Sequence, residues 1–321
     1  MGKPFGWCFI GCGTLAKKVA RRIIKSGRHK IVSVYSRSFG KCSNFAKKYG
    51  ATAYRSAEEA VKADGVDGVY VVTPHNSHFK YSMLAIGLNK PVLCEKSFTT
   101  DAGQAKELIE FAKSKQVYIA EAMWTWFAPV ANQVKNWLDG GEFGKINKVV
   151  IKSRLPLFLY AKRVTDPAAA GGALLDMGVY PLTYLYRLFG KPDDIVCNGK
   201  VSKGIDWEES VRMHFPSGES YTACVSINKF GSEKLVIEGD KAKIKLGFFH
   251  NANRVKLVRK NGKSTSFSGD GSYLNEFDVV AFEIRAGLTE SKFVPHEATI
   301  AVMEIMDECR KQMKLVYPFE M

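Results

Sequence analysis

Three short segments of this 321-residue chain carry side chains able to handle a proton beside a polarised oxygen. The first is Glu95-Lys96-Ser97, which follows the apolar run Val92-Leu93-Cys94. The second, Thr73-Pro74-His75-Asn76-Ser77-His78, offers two imidazoles. The third is Gly171-Gly172-Ala173-Leu174-Leu175-Asp176-Met177-Gly178-Val179-Tyr180, in which a helix would set Asp176 and Tyr180, four positions apart, on one face. A phenol and an ammonium suit carbonyl–hydroxyl interconversion, which needs a hydride at carbon and a proton at oxygen. The reference pKa of a phenol, ~10, is high for work near neutrality. A lysine nearby favours the phenolate and steadies alkoxide character in the transition state. Asp176 could orient Lys96 or bind a substrate hydroxyl. On the residues alone, Tyr180 could equally be a core tyrosine and Asp176 an early-helix acid favoured by the dipole.

The hydride source is legible at the other end of the chain. Gly11-Cys12-Gly13-Thr14-Leu15-Ala16 reads G-x-G-x-x-A directly after the apolar run Phe5–Ile10 and at the start of an amphipathic stretch. Gly11 permits the tight turn, Gly13 lets backbone approach a pyrophosphate, and Ala16 keeps the helix close to the sheet. An NAD enzyme usually carries an acid at the end of its second strand, roughly 20 residues past the glycines. Here that strand ends Val34-Tyr35-Ser36-Arg37-Ser38. A carboxylate would repel a 2′-phosphate, whereas a guanidinium flanked by hydroxyls binds one. The expected cofactor is NADP(H) rather than NAD(H). Glu95 and Lys96, with Thr73, Pro74, His75 and His78, stand where open α/β sheets hold their ligands, so they are expected beside it. Trp124 is expected as an aromatic wall.

Positioning these residues requires alternating strands and helices. Apolar runs Phe5–Ile10, Ile31–Tyr35, Gly68–Val72, Val92–Cys94 and Val117–Ala120 are separated by helical patterns such as Leu15–Lys25 and Ala102–Lys113. That alternation predicts an α/β Rossmann domain with a doubly wound parallel sheet over residues 1–122. Beyond it, helical Val130–Leu138, strand-like Ile146–Leu155 and a helix from near Gly172 to Phe189 precede a run of hairpins. Turns at Pro216–Glu219, Gly239-Asp240 and Asn261-Gly262 punctuate period-2 strands. Residues 123–321 are therefore expected to form an α+β domain on a mostly antiparallel sheet. Two helices close it, one with Phe277, Val280, Ala281 and Ile284 on a face, the other with Val302, Ile305, Met306, Cys309 and Met313.

Composition excludes several classes. Forty-seven Lys and Arg against thirty-two Asp and Glu give a formal charge of +15, but they are spread along the chain with no nucleic-acid reading motif. Such a surface suits an anionic cofactor or substrate. Seven cysteines without a CxxC pair fit free thiols in a reducing cytosol. No signal-like or membrane-spanning run is present, and Met1-Gly2 lacks the hydroxyl residue that acylation needs at Gly6. Gly262-Lys263-Ser264 fails as a P-loop because Leu257 holds the place of its first glycine, and His296-Glu297 fails as a zinc helix because Ile300 replaces the second histidine. No metal set is expected around His75 and His78. The expectation is a cytoplasmic enzyme with a small-molecule substrate and no nucleic-acid or membrane partner.

In their order and spacing, Gly11–Ala16, Thr73–His78, Cys94-Glu95-Lys96, Glu121-Ala122-Met123-Trp124, Gly171–Tyr180 and Ile237-Glu238-Gly239 resemble the glucose–fructose oxidoreductase and inositol dehydrogenase (Gfo/Idh/MocA) family. Tyr at position 180 is similar to its dimeric dihydrodiol dehydrogenase and D-xylose dehydrogenase branch. The resemblance spans nearly the whole chain. It implies a Rossmann domain joined to a domain with an open-faced sheet that commonly forms the oligomer interface, hence a homodimer or higher homo-oligomer. It also implies that Lys96 and Tyr180 are the catalytic pair, with Asp176 nearby, acting on a sugar, polyol or vicinal diol. One departure stands out: the family's Glu-Lys-Pro is here Glu95-Lys96-Ser97. Serine removes the proline constraint, cis in some relatives, so a less fixed Lys96 is expected. That departure also keeps open a non-enzymatic NADP-binding sensor on the same fold.

Overall fold

The computed structural model describes residues 3–320. Met1 and Gly2, and with them the acylation reading, lie outside the described residues. The chain divides into two compact units, one running to Trp124 and including Tyr273–Ile300, the other holding Thr125–Ser272 and the chain from Ala301.

The first unit alternates strand and helix: β1 (Phe5–Ile10), α1 (Thr14–Lys25), β2 (His29–Tyr35), α2 (Phe39–Tyr49), β3 (Thr52–Tyr54), α3 (Ala57–Lys62), β4 (Gly68–Val71), α4 (His78–Gly87), β5 (Val92–Glu95), α5 (Ala102–Lys115) and β6 (Ile119–Ala122). Its strands pair in the order β3-β2-β1-β4-β5-β6, all parallel. Strands β1 and β4 are buried along their whole length and read as unbroken apolar runs; β5 and β6 are equally buried although they carry Glu95 and Glu121. Chain order reverses between β1 and β4, so the carboxyl ends of these two strands flank the crevice where open sheets take ligands.

The second unit contains α6 (Pro129–Asp139), β7 (Ile146–Arg154), α7 (Val179–Phe189) and the strands β8 (Asp194–Ser202), β9 (Ile205–His214), β10 (Ser220–Ser226), β11 (Lys234–Gly239), β12 (Ala242–Gly247), β13 (Arg254–Arg259) and β14 (Ser264–Ser268). They form one eight-stranded sheet, ordered β14-β13-β12-β11-β7-β10-β9-β8. Only β7 and β10 pair in parallel; the other neighbours are antiparallel. One face, with Val149, Ile151, Val211, Ala223, Leu235 and Ile244, is buried. The alternate positions of the open face include Lys148, Lys152, Arg212, Lys243, Lys245 and Lys256. Basic residues dispersed in the sequence are thus gathered on one surface by the period of two.

The expected split at 122/123 lies close to the observed 124/125 division, but the assignment of all later residues to one domain needs correction. Tyr273–Ile300, with α8 (Leu274–Arg285) and the start of α9 (His296–Met313), packs in the first unit. The apolar face of α8 explains it: Phe277 meets Trp7 and Tyr70 edge-on at ring-centroid distances of 4.9 and 5.0 Å. Arg28 clamps Asp278 through two hydrogen bonds of 2.8 and 2.7 Å. Among the described residues, all seven cysteines are free, and no helix is long and apolar enough to cross a membrane.

Candidate active site

The sequence-predicted residues fall into two groups, one in each unit. In the first, Gly11 follows β1 at φ +117°, and a Cβ there would sit 2.5 Å from the Val72 carbonyl oxygen. Only glycine lets this turn lie against the end of β4. A Cβ on Gly13 would instead meet nothing within 4 Å. Gly13 precedes α1, which has no side-chain cap and no acid in its first turn, so its N–H groups and positive dipole end remain available to an anion. Thr14 is exposed, Leu15 half-buried and Ala16 fully buried against the sheet. Ser36 is half-buried and Arg37 exposed just past β2, with no acid beside them. These residues fit a dinucleotide whose pyrophosphate lies at Gly13 and whose ribose carries an added negative group near Arg37.

Lys96 emerges half-buried from β5. Glu95, expected beside the cofactor, is only 3% exposed. One of its oxygens accepts the Tyr70 hydroxyl at 2.5 Å and the other the backbone N–H of Lys96 at 3.2 Å. His78 is fully buried, with Nδ1 2.8 Å from the Ser97 carbonyl and Nε2 2.9 Å from that of Thr73. It ties the loop after β4 to the loop that carries Lys96. The ring of His75, also buried, crosses that of His78 edge-on at 5.6 Å; Thr73 and Pro74 are half-buried. The Lys96–Ser97 peptide is cis although serine replaces proline. Trp124 is buried with its ring 4.6 Å from that of Tyr273.

Near Glu95 lie two further buried acids that sequence reasoning did not single out for chemistry. Burial pushes the Glu121 carboxyl up to about 7, opposed by hydrogen bonds from Thr299 and the Phe98 backbone and by the charge of Lys96. Glu276 on α8 is fully buried with neither oxygen hydrogen-bonded, and burial followed by the charge of Glu95 holds it well above the usual carboxylate range.

In the second unit, Asp176 lies in a π-helical turn, Leu174–Gly178, that runs into α7 just before Tyr180. Pro181 has no N–H for the Met177 carbonyl, which favours the wider turn. Gly172, at φ +126°, brings the backbone onto Asp206, whose carboxylate accepts the Leu174 N–H at 2.6 Å. Asp176 accepts Arg163 Nη2 at 2.6 Å. Tyr180, 7% exposed, stacks on His250 at 5.2 Å and 26°. His250 Nδ1 is paired with Glu233, whose other oxygen accepts the Ser153 hydroxyl at 2.8 Å. Arg163, Glu233 and His250 were missed because no local pattern marks them.

A parallel Rossmann sheet with a glycine turn after its first strand, and a mostly antiparallel eight-stranded sheet in the unit that holds Asp176 and Tyr180, define a two-unit α/β architecture. Residues 5–122 match the model of the oxidoreductase family with an NAD-binding Rossmann fold, and residues 131–245 match the Gfo/Idh/MocA C-terminal domain. The chain belongs to the Gfo/Idh/MocA family. It is 31% identical to a D-xylose 1-dehydrogenase (NADP+) of Hypocrea jecorina, over 99% of this chain and 94% of that protein. It is 29% identical to the trans-1,2-dihydrobenzene-1,2-diol dehydrogenase of Mus musculus, over 97% and 98%. Among solved structures, a 3-ketoreductase from Actinomadura kijaniata in complex with NADP and TDP-benzene shares the fold, with TM-score 0.88, 20% identity and coverage of 97% and 98%.

Proposed function

We propose that this protein is an NADP(H)-dependent oxidoreductase that moves hydride between the nicotinamide and a carbonyl or hydroxyl of a sugar, polyol or vicinal diol. The end of β2 carries the reading: Tyr35-Ser36-Arg37 offers a cation and a hydroxyl where an NAD enzyme would present an acid. The named relatives, a D-xylose 1-dehydrogenase (NADP+) and a scyllo-inositol 2-dehydrogenase (NADP+) among them, support the cofactor and the substrate class.

In this reading Gly11, Gly13, Thr14, Leu15 and Ala16 hold the pyrophosphate, Ser36 and Arg37 the 2′-phosphate. Thr73, Pro74, His75 and Trp124 line the nicotinamide end. When bound, the cofactor supplies or accepts the hydride. Tyr180 gives a proton to the carbonyl oxygen, or takes one from the alcohol, and Lys96 favours its phenolate. Asp176 acts with Arg163, as a pair that fixes the helix start. Glu95 and His78 position Lys96 from below.

The same reading places the protein in a reducing compartment, the cytoplasm, and pairs two copies through the open face of the eight-stranded sheet. That face is basic, so like charges meet there and counter-ions must screen them. The test is a panel of sugars, polyols, diols and dicarbonyls with NADP+ or NADPH, read by nicotinamide absorbance. Turnover of at least one member is expected. Tight NADPH binding with no turnover on any would replace the enzyme by a cofactor-sensing protein.

A further inference from the structure

The imidazole against Tyr180 has a place in this chemistry. His250 follows β12 in the short helical turn Phe249–Asn251. Its seat is fixed from three sides. Phe249 is fully buried, and its ring meets Tyr184 edge-on at 5.3 Å, one helical turn beyond Tyr180 on α7. The Phe248 N–H donates to the Glu233 carbonyl at 3.1 Å, which brings the segment before β11 alongside. Glu233 then faces Nδ1 of His250 with a carboxylate that is itself completely buried and held by Ser153. A buried carboxylate on one ring nitrogen sets both the orientation of an imidazole and the nitrogen that carries its proton. The other edge of the ring is not sealed, since the His250 side chain is 21% exposed.

We propose that Glu233 and His250 form a carboxylate–imidazole pair that positions the Tyr180 ring for proton transfer. This rests on the reading of Tyr180 as proton donor. In the reductive step the Tyr180 O–H bond breaks and its electron pair stays on the phenolate oxygen. The proton forms the O–H bond of the alcohol, hydride from NADPH having reduced the carbonyl carbon, and the phenolate regains a proton from water. The imidazole stacked on the ring, itself oriented by Glu233, holds the phenol where that transfer takes place. His250 is thus a positioning residue.

The test uses the full chain with NADPH and diacetyl as the probe substrate, kcat and KM being read separately and NADPH affinity measured on each variant. His250→Phe keeps a flat ring beside Tyr180 but cannot pair with Glu233, and should lower kcat by roughly tenfold with unchanged NADPH affinity. Glu233→Gln, which keeps a polar partner for the imidazole, should retain most of the kcat that Glu233→Leu loses. The double variant His250→Phe/Glu233→Leu should be little worse than either single change, since the two residues act as one pair. Additive losses overturn the pair. A fully active His250→Phe beside a slow Tyr180→Phe overturns the positioning effect alone, whereas a fully active Tyr180→Phe overturns the proton-donor reading on which it rests.

Discussion

Glu121 gives the structure its most quantitative test. Its carboxyl is buried at the end of β6 and titrates at about 7 rather than at its ordinary 4.5. The cause is first burial, which penalises the ionised form, with the Thr299 and Phe98 hydrogen bonds and Lys96 opposing it. The folded state therefore holds this proton more tightly than the unfolded chain does. Between the two values the native protein binds more protons, so this residue's contribution to stability declines as pH rises through that window. At about 1.4 kcal/mol per unit of pKa, the full cost of ionising Glu121 in place is on the order of 3 kcal/mol, reached above neutrality. Glu121→Gln keeps the shape and an oxygen for Thr299 but cannot ionise. Urea unfolding at about pH 5 and about pH 8 should show the variant close to wild type at the lower pH and more stable by up to about 3 kcal/mol at the higher. Parallel stability curves for the two proteins would refute the assignment of the neutral-range titration to Glu121.

Three further outcomes follow from the site. Arg37→Asp should weaken NADP(H) binding by roughly ten- to a hundredfold and NAD(H) much less, because only one cofactor carries the 2′-phosphate; equal losses in fluorescence titrations would remove Arg37 from cofactor choice. Lys96→Met should slow turnover and shift the phenol-dependent limb of its pH profile upward, and combining it with Tyr180→Phe should cost little more than the worse single change; additive losses would mean the two residues serve separate steps. If copies associate through the basic sheet face, raising salt from about 0.05 M to about 0.3 M should tighten the association seen by analytical ultracentrifugation, and salt-induced dissociation would argue for a different interface.

The first unit was legible in the sequence because its signals are local. A buried strand, a glycine turn and an amphipathic helix in succession need no distant partner to be recognised, and Arg37 is read from its place at a strand end. Strand β3, three residues long and half exposed, leaves no such signal. The destination of α8 was also hidden: Phe277 announces an apolar face, but only the packing shows that Trp7 and Tyr70 receive it. The same distinction separates Tyr180 from its surroundings. Tyr180 belongs to a recognisable segment, whereas Ser153, Glu233 and His250 converge on it from strands and turns far apart in the chain. Sequence position does not say whether a side chain turns inward, as Glu95 does to the Tyr70 hydroxyl and His78 to the Ser97 carbonyl.

The measurement that tests the central claim most directly is turnover by Tyr180→Phe on the best substrate of the panel, with NADPH affinity measured on the same preparation. Removing one hydroxyl from a ring packed against His250 leaves the fold in place. The account predicts a fall in kcat of at least about a hundredfold with NADPH affinity within about twofold of wild type. A Tyr180→Phe enzyme of undiminished kcat would contradict it.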